Sequence, residues 1–551
     1  LRSGKAEGVA GVYQELAAAS IDRCPDFPNL LVLEGSPMPS DSAPIRLPYH
    51  ISRGGNAVAV NPAAVAIALV LTLLASTAAF AQTAAQGHTH HAMAAAATTS
   101  FAKAAVAAPA GALAAPPVLA NRSGEPGVVE VALTAAPARL SLRPGTETEV
   151  YAYNGSVPGP TLEVREGDRV IVRFRNNLPV PTTVHWHGLH LPFTADGSPF
   201  HPVAPGEEYT YAFTVRPGAA GTYWYHPHPD HHTGQQVARG LYGGVIVRAA
   251  DDPLPASLPE KLLILSDNRF LPDGSQDIAD PHSPQGRVDF ENGREGDVLF
   301  VNGQVMPTLT IRSGEVQRWR VINTSAGRFY RLAIPGHTLL HVGSDGGLFE
   351  RPVEVSEILL ATAERAELLI KGTGPPGSRA VLQALPYDRY VPQTRPKDWQ
   401  EPRDLLTLQY TSERPAAPIS LPDQLRPIPA LDPAAATATR VMVLTQGMIN
   451  GQLMDMSRVD VSAPLGATEV WEVENLVGLD HPFHLHGFQF QVLDRDGIPE
   501  PFRSWKDVVN VPKHQKVRFI VRYDNYPGKW MFHCHILDHE DHGMMGVLEV
   551  K

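Results

Sequence analysis

Near its carboxyl end the chain reads His533-Cys534-His535-Ile536-Leu537-Asp538-His539-Glu540-Asp541-His542-Gly543-Met544-Met545. A thiol, an imidazole five residues on and a thioether ten residues on are donors of a blue copper centre, in which Cys and two His hold the ion and Met stands weakly on the axis. An extended strand alternates its side chains, so if this stretch begins extended, His533 and His535 face one way and Cys534 the other. One backbone segment then serves two metal sites joined covalently through Cys534. The plainer alternative is a buried, apolar cysteine beside a histidine-rich tail that binds stray metal. The remaining histidines decide between them.

With 23 His in 551 residues, chance supplies about one His-x-His pair. Four pairs fall in the patterned part of the chain: His185-Trp186-His187, His226-Pro227-His228, His484-Leu485-His486 and His533-Cys534-His535; a fifth is His88-Thr89-His90. Eight imidazoles exceed what one tetrahedral zinc site uses. They suit three copper ions, because imidazole favours copper and an open position admits a small oxidant. His481, three residues before the third pair, can supply the blue site's missing ligand.

Three repeats must position these groups. Asn154-Gly155, Asn302-Gly303 and Asn450-Gly451 follow one another at intervals of 148 residues, a domain-sized period that implies one unit used three times. After each pair apolar residues alternate with polar ones: Leu162, Val164, Val170, Val172 and Phe174; Leu309, Ile311, Val316, Trp319 and Val321; Val470, Trp471 and Val473. That is the period of half-buried strands. An all-β chain follows, built of three Greek-key β-barrels, at about 125–250, 251–412 and 436–551, with the Pro-rich connector 413–435 before the third. The first and third units hold the His-x-His pairs, so the site is expected where they meet.

Residues 63–80 are a long apolar run ending in Ala79-Phe80-Ala81, a small-x-small pattern. Residues 56–81 read as an export signal cleaved after Ala81, placing the protein in the periplasm or outside the cell; an uncleaved membrane anchor is the alternative. Residues 1–55 read as an upstream segment without function, and 82–124 as a flexible Ala/His-rich linker. Of Cys24 and Cys534, cleavage leaves only Cys534, which is then free or a ligand. Forty-six Lys and Arg against 57 Asp and Glu offer no polybasic face for nucleic acid.

HWHGL (185–189), WYHPH (224–228), HPFHLHG (481–487) and HCHILDHEDHGMM (533–545) resemble the four copper signatures of the multicopper oxidases, in particular bacterial three-domain laccases and cuprous oxidases. The resemblance spans about residues 125–551. It implies three cupredoxin-like domains and four copper ions. Type 1 copper would take His481, Cys534, His539 and axial Met544; type 2 would take His185 and His484. One type 3 ion would take His187, His226 and His535, the other His228, His486 and His533. Electrons would enter through an exposed edge of His481 or His539 and pass along Cys534, and dioxygen would become water.

The resemblance also puts Glu540 and Asp196 at the family's proton-relay positions, against the alternative that both are solvated surface acids. Asp480, Asp538, Asp541, His190, His231, His232 and His542 are read as surface groups, or at most as groups that orient ligands. Cuprous oxidases place Asp and Met just before the HPFHLH motif, where this chain has Val477 and Leu479. A laccase-like donor, a phenol or aromatic amine, is therefore favoured over Cu(I), for which Met448, Met454 and Met456 are the residual argument. A copper-binding envelope protein without catalysis is the reading from another class.

Overall fold

The computed structural model describes residues 102–103 and 111–551, except 393, 397 and 414–418. Residues 1–101 and 104–110, which hold the leading segment, the export signal and most of the linker, lie outside the described residues. The rest is three two-sheet units. The first pairs a sheet of Ala102–Lys103, Val128–Arg143, Thr146–Tyr153, Arg169–Asn176 and Glu208–Thr214 with one of Gly159–Arg165, His185–His187, Gly221–His226 and Gly243–Arg248. The second and third units each pair a six-stranded with a five-stranded sheet. Among the described residues the longest helix is Pro284–Asn292.

Alternation produces the cores. Along Arg169–Asn176, Val170, Val172 and Phe174 are buried between exposed arginines. Val316–Asn323 departs from that pattern, being buried on both faces. Its Trp319 and Val321 enter the second core, while Arg318 and Arg320 on the other face reach the Glu367 carboxylate at 2.5 Å. Thr222 of the first unit donates to the same carboxylate at 2.8 Å. A strand expected to face water is thus covered by its neighbouring unit, with its charges paired.

The Asn-Gly repeat has one cause. Asn154, Asn302 and Asn450 have φ of 50°, 54° and 53°, each followed by a Gly of positive φ, the backbone of a tight turn that Asn and Gly tolerate. Each Asn side chain also bridges to the neighbouring strand: Oδ1 accepts from Thr134, Ile264 and Val443 N–H at 2.7, 2.8 and 2.7 Å respectively.

The linker expectation holds poorly for residues 111–124. Leu113 N–H donates to Thr308 O at 2.8 Å and Leu119 N–H to Thr161 O at 2.9 Å, while Asn302 Nδ2 donates to Ala114 O at 3.0 Å. The Ala-rich composition hid these bonds because the backbone, not the side chains, makes them.

The three units close around a shared apolar cluster: Trp224 and Val237 from the first, Ile264, Ile322 and Ala363 from the second, Val508 and Leu537 from the third.

Two stability tests follow. Asn302 is buried and Asn450 exposed, so Asn302→Ala is expected to cost about 1–3 kcal/mol more than Asn450→Ala, read from urea midpoints. Burial pushes the Glu367 carboxyl up, but Arg318 and Arg320 outweigh this and hold it at about 2. A carboxyl depressed in the folded state stabilises above its free value of 4.5 and loses that contribution as pH falls through its folded value. Glu367→Gln should therefore cost about 3–5 kcal/mol at neutral pH, and its melting temperature should approach that of the parent as pH falls from 4.5 toward 2.

Candidate metal centres

Strand Gly528–Cys534 lies antiparallel to His481–Leu485, with Phe483 opposite Cys534 and His484 opposite His533. This register sends His481 and Cys534 to one side and His484 and His533 to the other. Cys534 Sγ lies 3.3 Å from His481 Nδ1 and 3.6 Å from His539 Nδ1. Helix Leu537–Asp541 brings His539 back to the thiol. Met544 is fully buried, and its backbone bonds to both Cys534 and His539. Burial pushes the Cys534 thiol up, so the thiolate needs a metal ion to form, and binding would release its proton.

The other eight histidines converge between the first and third units. His185 stacks on His486 and His187 on His484, each pair with ring centroids 3.9 Å apart. Their outward nitrogens are bonded. His185, His226 and His484 donate from Nδ1 to the carbonyls of Asp196, Pro227 and Asp507 at 2.8, 2.9 and 2.7 Å. His187 donates from Nε2 to Asp507 Oδ1 at 3.0 Å. The opposite nitrogens, Nε2 of His185, His226 and His484 and Nδ1 of His187, are buried with no hydrogen-bond partner, as are both of His535. On the far side, His486 Nε2 and His228 Nε2 stand 3.0 and 3.4 Å from His533 Nε2.

Burial removes the hydration an imidazolium needs, and it lowers the pKa of His185, His187, His226, His484, His486 and His535 well below the usual histidine range. Neutral rings, anchored outside and bearing lone pairs inside, are the donor set of a metal cluster. Stranding so many buried acceptors would be costly without ions, and nitrogen-rich sites beside a Cys-His-His set suit copper.

Both acids expected beside the cluster are buried there rather than solvated. Asp196, on the short helix Phe193–Asp196, accepts from His486 Nδ1 at 3.0 Å, and burial pushes its carboxyl up to about 8. Glu540 sets Oε1 3.4 Å from His228 Nε2 and Oε2 3.2 Å from His533 Nδ1. Burial raises it, but these two neighbours outweigh that and bring it to about 2. Asp480 is likewise buried, accepting from Tyr387 Oη at 2.6 Å and Asn510 Nδ2 at 2.9 Å.

Sequence reasoning missed Asp507. It holds two ligand histidines, one through its side chain and one through its carbonyl. The available signal was a charged pair, Lys506-Asp507, heading the strand Val508–Val511, three of whose four residues are valine.

The exposed entry edge is a correction. His481 and His539 are 1% and 3% exposed, because the second unit roofs the thiol site. The Phe290 ring lies 5.9 Å from His539, and Asp480 N–H donates to Arg389 O at 3.2 Å. The sequence of the third unit alone could not reveal this cover. Outside the roof is a cleft of about 300 Å³ bounded by helix Pro284–Asn292 and the segment from 384 to 403.

Comparison with known proteins agrees with this geometry. Three models described as multicopper oxidase match residues 134–252, 259–411 and 427–551. The chain is 32% identical to multicopper oxidase mco of Staphylococcus aureus over 79% of its own length and 91% of the relative's. It is 31% identical to cell division protein FtsP of Escherichia coli over 79% and 92%. A solved multicopper oxidase from Campylobacter jejuni, titled a metallo-oxidase, superposes with a TM-score of 0.73 at 33% identity, covering 82% of this chain and 96% of that one.

Replacing the thiol tests the two-site reading. Cys534→Ser is expected to abolish the intense visible absorption of the copper-loaded protein and to lower bound copper by roughly one equivalent, while the histidine cluster keeps its metal. Metal analysis alongside absorption spectra measures both.

Proposed function

The chain belongs to the multicopper oxidase family and so couples oxidation of a donor to reduction of dioxygen; we propose that its donor is a small phenol or aromatic amine, oxidised one electron at a time. On this reading four copper ions are held. His481, Cys534 and His539, with Met544, would hold type 1; His185 and His484 would hold type 2. His187, His226 and His535 hold one type 3 ion, and His228, His486 and His533 the other. When bound, copper supplies one-electron acceptance beside Cys534 and four-electron reduction of dioxygen to two waters among the histidines.

The chain's own residues supply the rest. Cys534 is covalently continuous with His533 and His535, so a short bonded path joins the two centres. Asp196, against His486 and carrying its proton at neutral pH, is placed to give up a proton that water formation consumes, and the ionised Glu540, against His228 and His533, to take one up and pass it on. Burial of the whole cluster keeps bulk water out.

The wall of the cleft carries the donor assignment. Phe329, Tyr387, Tyr390 and Trp399 line it, and no methionine does. An aromatic wall suits an aromatic ring, whereas a soft ion needs thioethers. Tyr387 donates to Asp480, the residue before His481, which gives a bonded route from cleft to ligand. Two observations favour other readings. The Campylobacter relative is titled a metallo-oxidase, and Met448, Met454 and Met456 sit in the third unit, although Met454 packs against the core cluster of Met531 and Met545. The likeness to a cell division protein keeps a non-catalytic role in the comparison. Export belongs to the same reading, supported by the apolar run 63–80 and its Ala79-Phe80-Ala81 end.

Oxygen uptake by the copper-loaded chain separates these readings. Faster uptake with a methoxyphenol than with Cu(I) is expected; the reverse assigns a metal oxidase, and no uptake with either assigns a non-catalytic protein. Glu540→Gln should slow uptake about 100-fold with copper content unchanged.

A further inference from the structure

The second unit contributes none of the histidines that converge in the cluster, yet it places a charged side chain against Asp507, which holds two of them. Arg365, on strand Arg365–Lys371, is 1% exposed and uses all five of its donors. Nε–H donates to Thr222 O of the first unit at 3.1 Å. Nη1 donates to Ala363 O at 3.1 Å and Asp507 Oδ1 at 2.7 Å; Nη2 donates to Asp345 O at 3.0 Å and Asp507 Oδ2 at 2.6 Å. One guanidinium thereby ties three units and forks onto the carboxylate that receives His187.

Packing leaves this pair no freedom. Gly188, in the same turn as His187, has φ of +86°, and a Cβ there would come within 2.5 Å of both Arg365 Nη2 and Asp507 Oδ2. Lys506, beside Asp507, bonds Asp345 Oδ2 at 2.9 Å and Glu364 Oε1 at 3.0 Å. The carboxylate plane of Asp507 is therefore set from behind by Arg365 and braced through the neighbouring residue.

This matters for which nitrogen of His187 faces the cluster. Three other cluster histidines, His185, His226 and His484, present Nε2 and are held by backbone carbonyls, which accept a proton and can do nothing else. His187 presents Nδ1 and is held by a carboxylate. We propose that the Arg365–Asp507 pair is a positioning device that fixes His187 as its Nε2–H tautomer, with the Nδ1 lone pair directed at the metal, while the Asp507 carbonyl does the corresponding work for His484. The two ionic bonds to Arg365 occupy the outer lone pairs of both carboxylate oxygens, so the remaining one on Oδ1 points at His187. An amide in place of the carboxylate sets its NH2 against an Arg365 donor in either orientation, and in the one that also faces His187 it demands the opposite tautomer. This inference rests on the histidines holding copper and is independent of the donor.

Three variants test it: Asp507→Asn, Arg365→Lys, which keeps the charge but loses the fork, and as a control Arg320→Lys, in the buried Glu367 network, where its bonds go to Glu367, Glu260 and Thr222 and to none of the histidines. Copper affinity is measured by chelator competition, with the visible band reporting the Cys534 site separately, and the metal-free forms are melted. In Asp507→Asn and Arg365→Lys, affinity of the cluster should fall about 10–100-fold while the visible band is retained. Arg320→Lys should melt lower yet bind copper like the parent. Wild-type cluster affinity in Arg365→Lys, with only a lower melting temperature, would show a plain strut and overturn the proposal. If Asp507→Asn does not fold, Arg365→Lys alone decides. Failure of the parent to bind copper at all would instead refute the reading on which the proposal rests.

Discussion

The structure depends on a desolvation constraint. Ten histidines and a cysteine are buried together, where neither imidazolium nor thiolate is sustained without a counter-ion. Burial holds His185, His187, His226, His484, His486 and His535 neutral, and a neutral imidazole has one donor and one acceptor. In His185, His187, His226 and His484 the donor is bonded outward to a carbonyl or carboxylate, and the acceptor left facing inward has nothing in the chain to satisfy it. A metal ion meets that requirement. The site is thus defined as much by the carbonyls of Asp196, Pro227 and Asp507 as by the rings they anchor.

The three units divide the labour in a way their common origin does not suggest. The first and third provide ligands and meet face to face, His185 on His486 and His187 on His484. The second provides the Arg365 fork, the buried Glu367 network that closes the gap to the first unit, and the roof over Cys534. Its repeat element, the Asn302 turn, matches its counterparts in backbone and hydrogen bonding, so the difference lies in what its strands carry outward. Arg318 and Arg320 stand on an outer face that water would cover in an isolated barrel.

Roofing the thiol site changes how a donor can reach it. With His481 and His539 both buried, neither ligand edge is open to solvent, and Tyr387 and Arg389 of the cleft wall both bond Asp480, the residue before His481. The proposal of an organic donor rests on the aromatic side chains of that wall and not on the ligand set, which serves either kind of donor.

The sequence by itself determined the local things. The 148-residue recurrence of Asn-Gly reported the three units because that dipeptide takes two successive positive φ values at little cost. The His-x-His pairs and the Cys534 to Met544 spacing reported which side chains converge because alternation along a strand and one turn of helix are short-range geometry. Tertiary structure decided what distant segments do to one another. Asp507 and Arg365 are separated by 142 positions and read singly as ordinary charged residues at strand ends; only their meeting makes them part of the centre. The same holds for the roof over His481 and His539 and for the tying down of residues 111–124. In each case the partner comes from another unit, and no pattern within a window of sequence records it.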